Sequence, residues 1–194
     1  MGRVISDISM SLDGYVTGPN DSRENPFGDG AGSLHDWLFS AATDRDRKLT
    51  EEYRHVGAIV MGRRGYDKNE GDGGWGDGGP AGKVPCFVLT HRPPPPDRVA
   101  APDVFTFVTD GVESLIARAQ AAAGDRTIGV HGATVAQQCL RAGLLDEIFV
   151  HVVPILLGGG TPLFGSLDSR PIALERTMVV ETPAATHLRF RVVK

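Results

Sequence analysis

Apolar residues in this chain gather in short runs rich in β-branched and aromatic side chains, bounded by Gly, Pro or charged residues. Such runs at 4–10, 58–61, 86–90, 104–108, 128–130 and 147–154 predict strands. Stretches of helical period lie between them. Residues 44–55 predict a helix with Thr43 or Asp44 as N-cap, 112–123 a second ended by Gly124, and 134–142 a third closed by Gly143. Strands alternating with helices of this length call for an α/β three-layer sandwich around a central, mainly parallel sheet. The C-terminal end departs from that alternation. Two strand-like runs, 177–181 and 187–193, flank a turn containing Pro183 and predict an antiparallel hairpin, which makes the sheet mixed. In the second arm Leu188, Phe190 and Val192 alternate with Arg189, Arg191 and Val193, so one face is expected to be buried and the other mostly solvated.

Two segments carry neither period. Residues 18–32 and 70–82, the latter containing GDGGWGDGGPAG, are expected to be mobile loops, with Trp75 as an aromatic anchor that settles on binding. Pro93 to Pro96 is expected to be a stiff, extended connector.

Length and composition narrow the picture. The 194 residues suit one domain spanning 1–194, and 41% hydrophobic with 23% charged residues suits a soluble globular protein. A net charge of −4 argues against a general nucleic-acid binder. No apolar run approaches the roughly 20 residues that span a bilayer. The N-terminus has no apolar signal-peptide core, and the two cysteines, Cys86 and Cys139, build no disulfide framework. A cytoplasmic setting without membrane partners is expected.

Three places carry chemistry. The strand run Ile59–Met61 ends in Gly62 and then offers Arg63 and Arg64. A glycine lets a ligand approach the backbone, and arginines supply donor forks suited to phosphate. The run at 87–89 ends likewise in Thr90, His91 and Arg92. Two cationic, hydroxyl-bearing strand ends suit a single phosphate such as the one that marks NADP on its ribose. Third, Ile128–Val130 leads through His131, Gly132, Ala133, Thr134 and Val135 into a helix, an arrangement suited to holding pyrophosphate on the helix N-terminus. The three-glycine spacing of a Rossmann fingerprint is absent.

In order, these pieces resemble the dihydrofolate-reductase-like proteins, and within them the reductase domain of bacterial riboflavin biosynthesis. The resemblance covers nearly the whole chain. It runs from Ser11-Leu12-Asp13-Gly14-Tyr15-Val16 through Met61-Gly62-Arg63-Arg64 and Val88-Leu89-Thr90 to VHGATVAQQCLRAGLLDEIFVHVVPILLGGGTPLF. The resemblance implies an NADPH-dependent reductase of a small heterocycle, pteridine-like or pyrimidine-like. Arg63, Arg64, Thr90, His91 and Arg92 then match positions around the adenosine 2′-phosphate, Gly132 to Val135 the turn under the pyrophosphate, and Val16 and Thr17 the loop over the nicotinamide. The chain departs from the family at Ala133, where a second glycine is usual and a cis peptide frequent, and at Gly65, where threonine is common.

Hydride transfer to a C=N bond needs a proton source as well as two oriented partners. Asp36 beside Trp37 is the first candidate acid, because an apolar neighbour raises a carboxyl's pKa; Asp46 and Asp13 are rivals. Asp13 and Trp37 are candidate substrate contacts. His131, His151 and His187 are too scattered along the chain to predict a metal site. Rival readings are a true dihydrofolate reductase, the riboflavin-pathway reduction of a ribosylamino-pyrimidine phosphate, and a non-catalytic nucleotide-binding protein of the same fold. Against the first stand the lack of a clear Pro-Trp pair and the glycine-rich stretch 28–32; against the second, the absence of any HxE…PCxxC zinc pattern. Val150, Val152, Leu188 and Phe190 read either as sheet core or as part of a homodimer interface, since similar proteins often pair.

Overall fold

A computed structural model describes residues 2–40, 42–51, 55–71, 74–165, 167 and 171–194. Its strands are β1 (Val4–Ser11), β2 (Tyr15–Thr17), β3 (Val56–Gly62), β4 (Cys86–Leu89), β5 (Phe105–Val108), β6 (Thr127–His131), β7 (Glu147–Val153), β8 (Thr161–Pro162), β9 (Leu174–Glu181) and β10 (Thr186–Val192). The helices are α1 (Asp44–Thr50), α2 (Arg63–Asn69), α3 (Val112–Ala123) and α4 (Ala133–Arg141). Eight strands form one sheet in the order β5-β4-β3-β6-β1-β7-β10-β9, and β2 pairs with β8 apart from it. From β5 to β7 the pairing is parallel; β10 and β9 run antiparallel as the C-terminal hairpin.

The apolar runs explain this order. β3 is buried at every residue from Val56 to Met61, as a strand covered on both faces must be. On one face α3 and α4 bring Leu115, Ile116, Val135 and Cys139 against Ala58, Val60, Ile128 and Val130. The other face is covered by α2, whose Tyr66 packs with Ile59 and Met61, and by the segment carrying Leu34 and Trp37, which packs on Val153. These are the three layers expected.

Differences from the sequence reading have local causes. The helix expected over 44–55 ends as α1 at Thr50, with Glu51 as C-cap; residues 52–54 lie outside the described residues. The chain must re-enter the sheet at Val56, which is buried from its first residue. Thr43 is the N-cap and closes a capping box with Asp46. In β10 the alternation holds for buried Val192 against exposed Arg191, but a register shift between Arg189 and Phe190 interrupts it, and His187 is fully buried under Trp37. Val150 belongs to the core, with Val152, Leu188 and Phe190 half-buried against it. In the loop expected at 70–82, where 72–73 lie outside the described residues, Trp75 is already packed against the core, stacked on Phe105. Among the described residues no helix is long and apolar enough to cross a membrane.

Close approach of β3 and α3 depends on Gly57. A Cβ there would lie 2.7 Å from Arg126 Cβ and 2.9 Å from Ala123 Cα, and the latter is backbone that cannot turn aside. Gly57→Ala is expected to destabilise the protein by about 1–3 kcal/mol, read as a lower urea midpoint at unchanged slope.

Candidate active site

A cleft of about 1420 Å³ opens along the carboxyl ends of β3, β4, β5 and β6 and across the middle of β1 and β7. That exceeds the roughly 300–1,000 Å³ of a typical single-ligand pocket, so a dinucleotide and a second molecule have room together. Carboxyl ends of parallel strands are where open α/β sheets bind ligands.

The structure brings Val16, Thr17, Gly62, Arg63, Arg64, Thr90, His91, Arg92, Gly132, Ala133, Thr134 and Val135 to this one cleft, with Trp37. Arg63 Nη1 donates to the Arg92 carbonyl at 2.6 Å and its Nε to Asp67 at 2.6 Å, which ties the end of β3 to the end of β4. Arg64 is otherwise engaged: its guanidinium donates to the Asp21 carboxylate and, at 3.1 Å, to the Asp21 carbonyl, and Lys68 reaches the same carboxylate. Burial would raise the Asp21 pKa, but the Arg64 and Lys68 bonds outweigh it and hold the group below its ordinary value. Asp21 thus ties the glycine-rich 18–32 segment to the cation that the sequence assigned to phosphate.

At β6 the chain turns through Gly132 at φ 88°, with open space where a Cβ would point. A side chain would be strained there and would fill the cradle in front of α4. The Gly132–Ala133 peptide is trans, in common with the other described peptides. Two buried polar atoms on the cleft wall, Thr17 Oγ1 and His35 Nδ1, have no hydrogen-bond partner within the protein. Buried groups of this kind usually have a partner in native proteins. A dinucleotide fits the residues present: an open cradle at a helix start and arginines at the far end.

Asp36 is not brought to the cleft. It is exposed, accepts from Ser40 Oγ at 3.0 Å, and is absent from the lining. Asp13 is exposed as well; its carboxylate accepts from Ser11 Oγ at 2.6 Å and from the amides of Leu157 and Gly158, bonds led by the serine's that hold its pKa low. It braces the turn after β1 against residues 157–158. Asp46 is fully buried behind the sheet face, accepting from the Thr43 amide and from His187.

Among the cleft residues missed from the sequence are Asp7, Ser9 and His151. Asp7 pairs in register with Phe149, Ser9 with His151, and His151 with His187, so three adjacent strands present polar groups side by side on one face. Trp37 closes over them, its Nε1 donating to Ser9 Oγ at 2.8 Å and its ring 4.0 Å from that of His151. One signal was available: Asp7, Ser9 and Ser11 are polar at period two, alternating with apolar Ile8 and Met10.

Comparison with known proteins agrees with this geometry. The family described as RibD C-terminal domain matches residues 3–188. The uncharacterized protein YwjB of Bacillus subtilis (strain 168) is 27% identical over 162 residues, 84% of this chain and 82% of that protein; YyaP of the same organism is 23% identical over 87% and 83%. A solved protein of Shewanella sp. PV-4, assigned by its name to riboflavin biosynthesis, is 25% identical with TM-score 0.73 over the whole of both chains. A deaminase/reductase of Thermotoga maritima matches with TM-score 0.63 and 15% identity, this chain spanning 57% of it. A dihydrofolate reductase of Enterococcus faecalis complexed with NADP(H) matches with TM-score 0.56 and 15% identity over 100% of this chain and 98% of that one. The fold is dihydrofolate-reductase-like.

His131, at the end of β6, offers a test of the cleft wall. Desolvation, with smaller repulsion from His35 and Lys68, pushes its pKa from 6.5 down to about 4. The folded state then keeps the ring neutral while the unfolded chain takes up a proton as pH falls below about 6.5, so stability is full above that value and falls between pH 6.5 and about 4. His131→Gln is expected to flatten that part of a urea-stability profile measured against pH; a profile as steep as wild type would assign the fall to other groups.

Proposed function

The chain belongs to the RibD C-terminal domain family, and from that premise we propose that it is an NADPH-dependent reductase of a small pteridine-like or pyrimidine-like heterocycle, acting as a single domain. The observation that carries this reading is the convergence of three strand ends on one cleft, two with chemistry suited to the 2′-phosphate and one with chemistry suited to the pyrophosphate. Arg63, Arg64 and Arg92, with Thr90 and His91, would hold the 2′-phosphate; Gly132 to Val135 would hold the pyrophosphate against the start of α4; Val16 and Thr17 would face the nicotinamide. When bound, the reduced nicotinamide supplies a hydride. The protein's own work is to orient both partners, exclude water with Trp37 and the 18–32 segment, and provide a proton.

Selectivity for NADPH over NADH follows from the arginines. A charge-assisted bond contributes about 1.5–3 kcal/mol, and Arg64 must share or give up Asp21 to make one, which places its net effect at the low end. Calorimetric titration is expected to show tighter binding of NADPH than NADH by wild type, with Arg64→Ala losing most of the difference. Equal affinities in wild type would reject the phosphate site.

We also propose that the chain forms a homodimer. Since Val150, Val152, Leu188 and Phe190 are engaged within the sheet, support for pairing rests on the edge strand β9 and the chain end after β10, where Leu174, Val179 and Val193 stand 43%, 45% and 52% exposed. An open edge with apolar side chains is a surface that proteins usually cover. Light scattering at micromolar concentration is expected to give twice the 20.7 kDa of one chain; a mass near one chain would return the surface to solvent.

A further inference from the structure

Asp7, His151, His187 and Asp46 form a continuous hydrogen-bonded line across the sheet face. Asp7 Oδ1 meets His151 Nε2 at 2.7 Å, His151 Nδ1 meets His187 Nδ1 at 2.7 Å, and His187 Nε2 meets Asp46 Oδ1 at 2.9 Å. Both imidazoles are engaged at both nitrogens. Turning either ring over would put carbon atoms at its two contacts, so the bonds themselves set the ring orientations.

Three contacts require three protons. Asp46 contributes none: it already accepts from the Thr43 amide and hydroxyl, and these bonds with that of His187 outweigh desolvation and keep its pKa low. His187 must therefore donate through Nε2. If both rings were neutral and both donated through Nε2 to carboxylates, the two Nδ1 atoms would face each other at 2.7 Å as bare lone pairs, which is repulsive. A third proton has to lie in the line. Desolvation, then the charge of His151, disfavours it on His187. That leaves His151 and Asp7, the end beside the cleft.

Access runs the same way. The side chains of His151, His187 and Asp46 are 2%, 0% and 0% exposed, whereas that of Asp7 is 26% exposed and lines the cleft. Trp37 covers both rings, at 4.0 and 5.0 Å, and Phe149 packs on His151 at 4.4 Å. Besides Asp7 and Asp46, His35 interacts electrostatically with His151. We propose that Asp7 is the acid that protonates the substrate, and that His151, His187 and Asp46 are positioning residues that keep one transferable proton at its end of the line. The inference rests on the reductase reading above.

In the step, the His151 Nε2–H bond breaks as an O–H bond forms on Asp7, and rotation about Cβ–Cγ turns that O–H toward the cleft. As the substrate's C=N carbon receives the hydride, its nitrogen takes the Asp7 proton, leaving a carboxylate. A bound reduced nicotinamide would supply the hydride with its two electrons, the substrate would gain two electrons and two hydrogens, and one proton taken up from bulk solvent through the cleft would restore the line. Asp46 gives the line its direction, since a buried carboxylate that only accepts holds the far proton on His187.

Imidazole ¹⁵N NMR on the free protein tests the line without cofactor or substrate. At neutral pH the two Nδ1 signals are expected to show one shared proton. Asp7→Asn is expected to move the His187 signals and Asp46→Asn those of His151, although neither substitution touches the ring it moves. Should loss of the α1 cap unfold Asp46→Asn, the response of His187 to Asp7→Asn carries the test. Two neutral rings with no shared proton, or changes confined to the adjacent ring, would overturn the line. For Asp7 as acid, NADPH oxidation is followed with pteridine and aminopyrimidine probes. Asp7→Asn is expected to lower kcat on the order of 100-fold or more, to flatten the pH profile, and to leave NADPH affinity unchanged. Wild-type turnover and pH profile in Asp7→Asn would overturn the acid. Failure of every probe with wild type counts against the reductase reading, whereas the line stands or falls on NMR alone.

Discussion

The insertion of β6 between β1 and β3 is the constraint from which the rest of this structure follows. Successive strands β3, β4 and β5 step outward from the gap, and the chain then returns through α3 to fill it, pairing Ile128 with Val4 on one side and with Ala58 on the other. A strand parallel to both neighbours and covered on both faces must be apolar throughout, and Ile128 and Val130 are almost wholly buried. The strand stops level with β3, whose Met61 pairs with His131, and short of β1. β6 turns away at Gly132 while β1 continues to Ser11, and the space beyond its end becomes the cleft. The arginine-bearing ends of β3 and β4, the open cradle of α4, and the polar middle of β1 share one cavity because β3, β4, β5 and β6 end level with one another beside the longer β1.

Burying polar groups on the opposite wall is costly unless each has a partner. Here the partners come from four elements distant in sequence: Asp7 on β1, Asp46 on α1, His151 on β7 and His187 on β10. Asp46 serves both the start of α1 and the far end of the line, so the helix cannot shift without disturbing the histidines. Packing and chemistry are coupled through that one carboxylate.

The segment from Gly18 to Gly32 adds a second coupling. Its Asp21 pairs with both Arg64 and Lys68, which ties the segment to the cleft wall and leaves one positive charge uncompensated there. An anion arriving at Arg64 would compete with that carboxylate, which would link its binding to the placement of the segment through a shared charge.

From its sequence alone, the chain determined what depends on local period and local chemistry. The apolar runs located the central strands, Thr43 marked the start of α1, α3 matched its expected span, and the phosphate-suited residues after β3, β4 and β6 could be named because each cluster is contiguous. Tertiary structure decided what depends on register. Asp36 beside Trp37 looked equivalent to its neighbour along the chain, yet the turn buries Trp37 and sends Asp36 to solvent. His151 and His187 stand 36 residues apart and looked unrelated, yet the antiparallel pairing of β7 and β10 makes them partners. Side-chain neighbours along a strand are two residues away and readable, whereas neighbours across strands are set by which strands pair and in what register, a choice made by the whole core at once.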